Sequence, residues 1–143
     1  MLDDEYFMQL AYNEAKEAFA KGEIPIGVVV VADQRIIAKS HNLTEQLIDV
    51  TAHAEIQAIT AASQAIGGKY LKNCTMYVTV EPCQMCAGAL YWSQISRIVV
   101  GARDNKRGFE NMGGKLHPKT VIEYGVLEEK CRNLMLLFFD QKR

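Results

Sequence analysis

The chain has 143 residues, 49% of them hydrophobic, with ten glycines and three prolines; this suits one domain over 1–143 with its own core and excludes disorder, repeats and low-complexity tracts. A net charge of −1 excludes a polyanion binder that works by cationic excess alone. The opening Met-Leu-Asp-Asp-Glu lacks the basic start of a secretory signal and no apolar run has the length of a membrane span, so a cytoplasmic protein with no membrane partner is expected.

The first predicted element is an amphipathic helix from about Glu5 to Lys21, with Phe7, Leu10, Ala11, Ala15, Ala18 and Phe19 at spacings of three and four and Gly22 as its stop. Pro25 opens an extended run from Ile26 to Ala32, which Asp33-Gln34 turns into a second strand, Arg35 to Ser40, as an antiparallel hairpin. After a polar stretch, Thr51 is expected to cap a helix from Ala52 to Ala65 that ends at Gly67-Gly68. Thr75 to Val80 reads as a strand, Cys83 to Ser93 as a helix and Ile95 to Gly101 as a strand, which together make a βαβ unit with parallel strands. A glycine-containing basic segment, 102–118, leads to a short strand, Thr120 to Tyr124, and a closing helix, Leu127 to Phe139. The sum is an α/β, three-layer α/β/α domain with a mixed four- to five-stranded sheet.

Charge is unevenly spread. Residues 1–60 hold four Lys/Arg against ten Asp/Glu, while residues 94–120 hold six (Arg97, Arg103, Lys106, Arg107, Lys115, Lys119) against two (Asp104, Glu110). The positive charge therefore lies beyond the Cys-x-x-Cys segment.

In a reducing compartment the four cysteines are expected as metal ligands and buried apolar groups, with Cys74 and Cys131 in the buried role. Cys83-x-x-Cys86 follows Pro82, a residue favoured at the first position of a helix, so both thiols should share one face of a first turn. Unpaired N–H groups and the helix dipole make that a favourable place for thiolates. Two cysteines do not satisfy a zinc ion, and of the three histidines, His41, His53 and His117, only His53 begins a helix after a polar loop with an acid two positions on. Three protein ligands with one open position is the catalytic arrangement. Two thiolates and a neutral imidazole cancel the ion's charge, so the water it activates needs a base, and Glu55 stands where an outer-sphere base belongs. Such a site must also bind a flat heterocycle, for which Asn42, Ile26, Val28 and Ala54 are candidates.

The joined patterns Thr51-Ala-His-Ala-Glu55-Ile, Val80-Glu-Pro-Cys-Gln-Met-Cys-Ala-Gly-Ala89 and Gly101-Ala-Arg-Asp104 contain the H-x-E…P-C-x-x-C signature of zinc deaminases and resemble the bacterial tRNA-specific adenosine deaminases. The likeness runs from the Glu-Ile-Pro25-Ile-Gly-Val strand to Phe138-Phe139. It implies a cytidine-deaminase-like fold and conversion of the wobble adenosine of tRNA to inosine. It also implies one zinc ion per subunit on His53, Cys83 and Cys86, Glu55 as proton shuttle, and no organic cofactor. By the same resemblance Asn42 contacts the flipped base, Arg103 and Asp104 face the nucleotide, the anticodon loop is the partner and the chain is a homodimer. An aspartate at position 104 can accept a hydrogen bond from a ribose 2′-OH, which favours RNA over DNA. Phe138, Phe139, Lys142 and Arg143 are expected either to add to the RNA surface or to pack the last helix. Tyr91 and Trp92 are expected in packing or a subunit contact. Where the family carries a longer histidine- and asparagine-bearing stretch, this chain has Gly113-Gly-Lys-Leu-His117-Pro118, and His117 reads as a loop residue.

Two other readings stand beside this one. A deaminase of free guanine or cytosine would share the zinc residues, and a non-catalytic zinc or RNA-binding module would close the site with a fourth ligand, for which Cys74 is the available thiol.

Overall fold

The computed structural model describes residues 1–142, so Arg143 lies outside the described residues. Helix α1 (Asp4–Ala20) is followed by β1 (Gly27–Ala32), β2 (Arg35–His41), α2 (Ala54–Ile66), β3 (Cys74–Val80), α3 (Gln84–Ser93), β4 (Arg97–Ala102), α4 (Phe109–Met112), β5 (Val121–Tyr124) and α5 (Glu128–Gln141). The strands form one sheet of order β2-β1-β3-β4-β5. β1 is antiparallel to both β2 and β3, while β3, β4 and β5 run parallel. The expected mixed sheet is thus five-stranded.

Strand pleat assigns alternate residues to opposite faces. Val28, Val30, Met76, Val78, Ile98 and Val100 pack with Ala54, Ala58 and Ala62 of α2 and Leu90 of α3. Val29, Val31, Tyr77 and Val99 pack with Phe7, Met8 and Ala11 of α1 and Cys131 of α5. The valine run of β1 is continuous because both of its faces are covered, as parallel and central strands require. The β1–β2 turn uses Asp33 and Gln34, both at positive φ (54° and 64°), the backbone that a tight right-twisting hairpin demands.

Gly27 marks a close approach of α1 to the sheet. A Cβ there would sit 2.5 Å from the Ala15 nitrogen and closer still to the Ala11 carbonyl oxygen. Both obstacles are helix backbone, so Gly27→Ala is expected to destabilise the protein by about 3 kcal/mol or more, read as a fall in the urea midpoint at constant slope.

Three expectations change. The 102–118 segment, where the sequence pattern predicts no helix, contains α4. Thr51 does not cap α2, because its N–H and hydroxyl both donate to Asp49 Oδ1 (2.9 and 2.7 Å); the cap position falls to His53, with extended φ and ψ of −73° and 152°. The cap of α3 is likewise Cys83 (φ −72°, ψ 174°) rather than a first-turn position following Pro82. Cys74 and Cys131 are each 1% exposed, as expected. Among the described residues no helix is long and apolar enough to cross a membrane.

Candidate active site

Two helices start at one end of the sheet, and each begins with a donor. β3 ends at Val80, and the short link Glu81-Pro82 delivers Cys83 to the cap of α3 and Cys86 to its first turn. α2 packs beside α3 and brings His53 at its own cap. The first turn of α2 is fixed by Ser40, whose hydroxyl donates to the Ala54 carbonyl (2.7 Å), and by Gln57, whose side chain donates to the carbonyls of His41 and Ala52.

His53 Nδ1 lies 3.6 Å from Cys83 Sγ and 3.5 Å from Cys86 Sγ. A nitrogen and a sulfur bound to one tetrahedral zinc at ordinary bond lengths stand about 3.6 Å apart, so this donor set fits zinc in kind and in spacing. Among the described residues His53, Cys83 and Cys86 are the one grouping of His, Cys, Asp and Glu side chains suited to a metal ion. Cys74, at the opposite end of β3, does not join it, which removes the fourth ligand that a closed structural site would need.

The electrostatics favour an ionised sulfur at Cys83. The Cys86 thiol donates to Cys83 and, helped by His53, holds the Cys83 thiol down to about 4, whereas Cys86, bonded to that neighbour and buried, is pushed up. His53 is raised, first by its hydrogen bond with Cys83. Both helix N-termini add positive potential here.

Glu55 is 2% exposed, and burial above all pushes its carboxyl up to about 7. Among the described residues its Oε1 is the one buried side-chain oxygen or nitrogen with no hydrogen-bond partner. A buried acceptor without a partner is costly, and at the edge of a metal-binding donor set it marks a place for a proton-bearing reactant.

The other expected site residues are distributed as follows. Asn42, 4% exposed, follows β2, and its N–H donates to the Ile26 carbonyl (3.2 Å), so the two stand side by side at the sheet end. Ala54 has no exposed surface and lies between ligand and acid. Val28 is fully buried under α2, in the same core cluster as Ala54, on the face to which its pairing with β3 turns it. Arg103 does not pair with Asp104. Its guanidinium donates to Glu110 (2.8 Å) and lies over the Tyr124 ring at 3.6 Å. Asp104 Oδ1 accepts the N–H groups of Lys106 and Arg107 (3.0 and 2.9 Å) and so closes the loop. The basic stretch does not form one patch either: Arg97, at the far end of the sheet, is committed to Asp4 and Glu123. Phe138 is 6% exposed against Phe19, so it packs the last helix, while Phe139 is 42% exposed. Trp92, 75% exposed, lines a shallow groove with Ile59, Tyr70 and Ala89.

Sequence reading passed over two buried acids. Glu23, fully buried, accepts from the backbone of Glu45 and Gln46 (3.0 and 2.8 Å) and holds the 44–49 loop beside Asn42. Glu81, 5% exposed, does the same for the loop that follows β4. Their signal was an acid next to an apolar strand.

A metal-binding trio of two thiolates and one imidazole, with a buried acid at its edge, defines a zinc-dependent hydrolytic centre. Residues 1–102 match the family described as the cytidine and deoxycytidylate deaminase zinc-binding region. The chain is 43% identical to the tRNA-specific adenosine deaminase of Bacillus subtilis (strain 168), over all of this chain and 92% of that one. It is 40% identical to the tRNA-specific adenosine deaminase of Agrobacterium fabrum, over all of this chain and 98% of that one. A solved structure from work on A-to-I editing by tRNA:A34 deaminases at the wobble position matches with a TM-score of 0.84 and 41% identity, over 90% of this chain and 98% of that one. The guanine deaminase of Bacillus subtilis matches with a TM-score of 0.68 and 34% identity, over 78% of this chain and 69% of that one. The chain belongs to the zinc-dependent cytidine and deoxycytidylate deaminase family, on the branch of the tRNA-specific adenosine deaminases.

Proposed function

We infer that this protein deaminates adenosine to inosine by hydrolysis at the wobble position of tRNA. The observation that carries the reading is the likeness to tRNA-specific adenosine deaminases along the whole chain, and the His53, Cys83, Cys86 and Glu55 geometry supplies the chemistry it requires.

His53 Nδ1 and the two thiolates would hold zinc, which when bound would supply a Lewis acid that lowers the pKa of a water molecule. Glu55 accepts a proton from the attacking water and passes it to a ring nitrogen of the adenine, then takes the proton of the new C6 hydroxyl and delivers it to the departing exocyclic amine. The water's oxygen first bonds to C6 and the C6–N bond breaks in the second step, so adenosine and water give inosine and ammonia. Burial keeps the Glu55 carboxyl near 7, where it can both take and return a proton at neutral pH.

Asn42, Ile26 and Ala54 would bound the base. Arg103, held flat on Tyr124, would meet a phosphate of the anticodon loop, and Asp104, half-exposed with one oxygen engaged in the loop, would accept a ribose 2′-OH. Exposed Trp92 and Tyr70 support a homodimer formed through the α2–α3 face. A single domain acting in the cytoplasm, where tRNA is found, completes the reading.

The test is inosine formation by the zinc-loaded protein on an anticodon stem-loop with adenosine at position 34, with free adenosine, cytosine and guanine in parallel. Inosine in the stem-loop is the expected result. Turnover of free guanine without the stem-loop would overturn the RNA reading in favour of the guanine deaminase likeness. Within this reading, Arg103→Ala is expected to lower the slope of log affinity against log salt by about one, measured by filter binding of the stem-loop.

A further inference from the structure

Glu81 joins the thiolate segment to the loop that carries Arg103 and Asp104. Its Oε1 accepts the Asp104 N–H at 3.1 Å and its Oε2 accepts the Glu110 N–H at 3.2 Å. Gly108 packs on the carboxyl so closely that a Cβ would overlap both it and the Asp104 carbonyl oxygen. Main-chain bonds complete the seam: Glu81 N–H to the Ala102 carbonyl (2.8 Å), Phe109 N–H to the Pro82 carbonyl (2.9 Å), and a bridge between Cys83 and Gly108.

A carboxylate that is 5% exposed is expensive unless strong hydrogen bonds replace its hydration. Here those bonds come from the N–H of Asp104, in the loop after β4, and the N–H of Glu110, in the first turn of α4, where a helix leaves its N–H groups without an internal partner. The anchoring reaches Arg103 in two steps. Glu81 fixes the backbone of Glu110, and the Glu110 carboxylate receives both Arg103 and the Tyr124 hydroxyl (2.8 and 2.7 Å).

We propose that Glu81 is a positioning residue for the polynucleotide: it holds the 103–110 loop in register with Cys83 and Cys86, so that a strand gripped by the loop arrives with its base at the zinc centre. This rests on the tRNA reading above. The acid touches neither the base nor the metal donors, so its loss is expected in substrate capture rather than in turnover.

The test is Glu81→Gln, which keeps the shape but turns an amide N–H₂ toward one of the two backbone donors. Zinc is expected to stay at one per chain and kcat on the A34 stem-loop within about threefold, while KM rises about tenfold or more. Amide exchange at Asp104 and Glu110 should speed at least about tenfold with the amides of α3 still protected. Gly108→Ala, which strains the same seam from the loop side, should reproduce the KM defect if Glu81→Gln folds poorly. Unchanged KM and unchanged exchange would overturn the proposal, as would loss of zinc or a fall in kcat alone, since either would place Glu81 in service of the metal segment. A parent protein inactive on the stem-loop would overturn the substrate reading itself and this role with it; an active parent with unaltered variants would overturn this role alone.

Discussion

Glu55→Gln is expected to lower kcat for inosine formation by about 10³- to 10⁴-fold while zinc remains bound at one ion per chain. The variant is isosteric, so the core beneath Ala54 and Ala58 is undisturbed, and only the group that accepts and returns a proton is lost. The size of the effect follows from the donor set: two thiolates and an imidazole neutralise the ion, leaving a weak Lewis acid whose water depends on a base. Burial, the main cause of the carboxyl's rise to about 7, costs the folded state, and glutamine carries no charge to desolvate. The variant is therefore expected to melt no lower than the parent, the trade of stability for activity seen at many active sites. Single-turnover inosine formation, metal content and thermal melting measure the three quantities. Full activity with zinc retained would remove Glu55 from the mechanism.

The second large effect is expected at Cys86. Cys86→Ala removes a fully buried donor and should reduce bound zinc and deaminase activity to background. The ion links α2 to α3 through ligands 30 residues or more apart in sequence, so its loss is also a loss of folding free energy. At a free zinc concentration about a thousand times the dissociation constant the linkage is worth about 4 kcal/mol, or about 10 °C in Tm for a chain of this size. A chelator should therefore lower the melting temperature of the parent by about 10 °C and leave Cys86→Ala unmoved. Melting of the parent that ignores the chelator would sink the assignment.

The elements that could be read from sequence are those whose cause is local. His53, Glu55, Cys83 and Cys86 announce themselves because ligand spacing is set within a turn of chain, and the unbroken valines of β1 report burial on both faces. The caps were misread for an equally local reason: Asp49 takes the Thr51 hydroxyl first, which moves the helix start to His53. The full burial of Val28 was not legible because its face is fixed by pairing with Val78, 50 residues away. The partners of Arg103 were not legible, since folding brings Glu110 and Tyr124 to it from 7 and 21 positions along the chain. The roles of Glu23 and Glu81 depend on loops 22 to 29 residues distant, and no spacing rule connects an acid to a backbone N–H that far along the chain.

The metal donors and the proton carrier sit at helix starts packed on the sheet, but the groups assigned to the polynucleotide sit on loops fastened by single buried acids. That separation makes the protein modular in an evolutionary sense. A duplicated copy could replace residues 103–118 and acquire a different target while its reaction centre, under no pressure from the change, continued to remove ammonia from aminated rings.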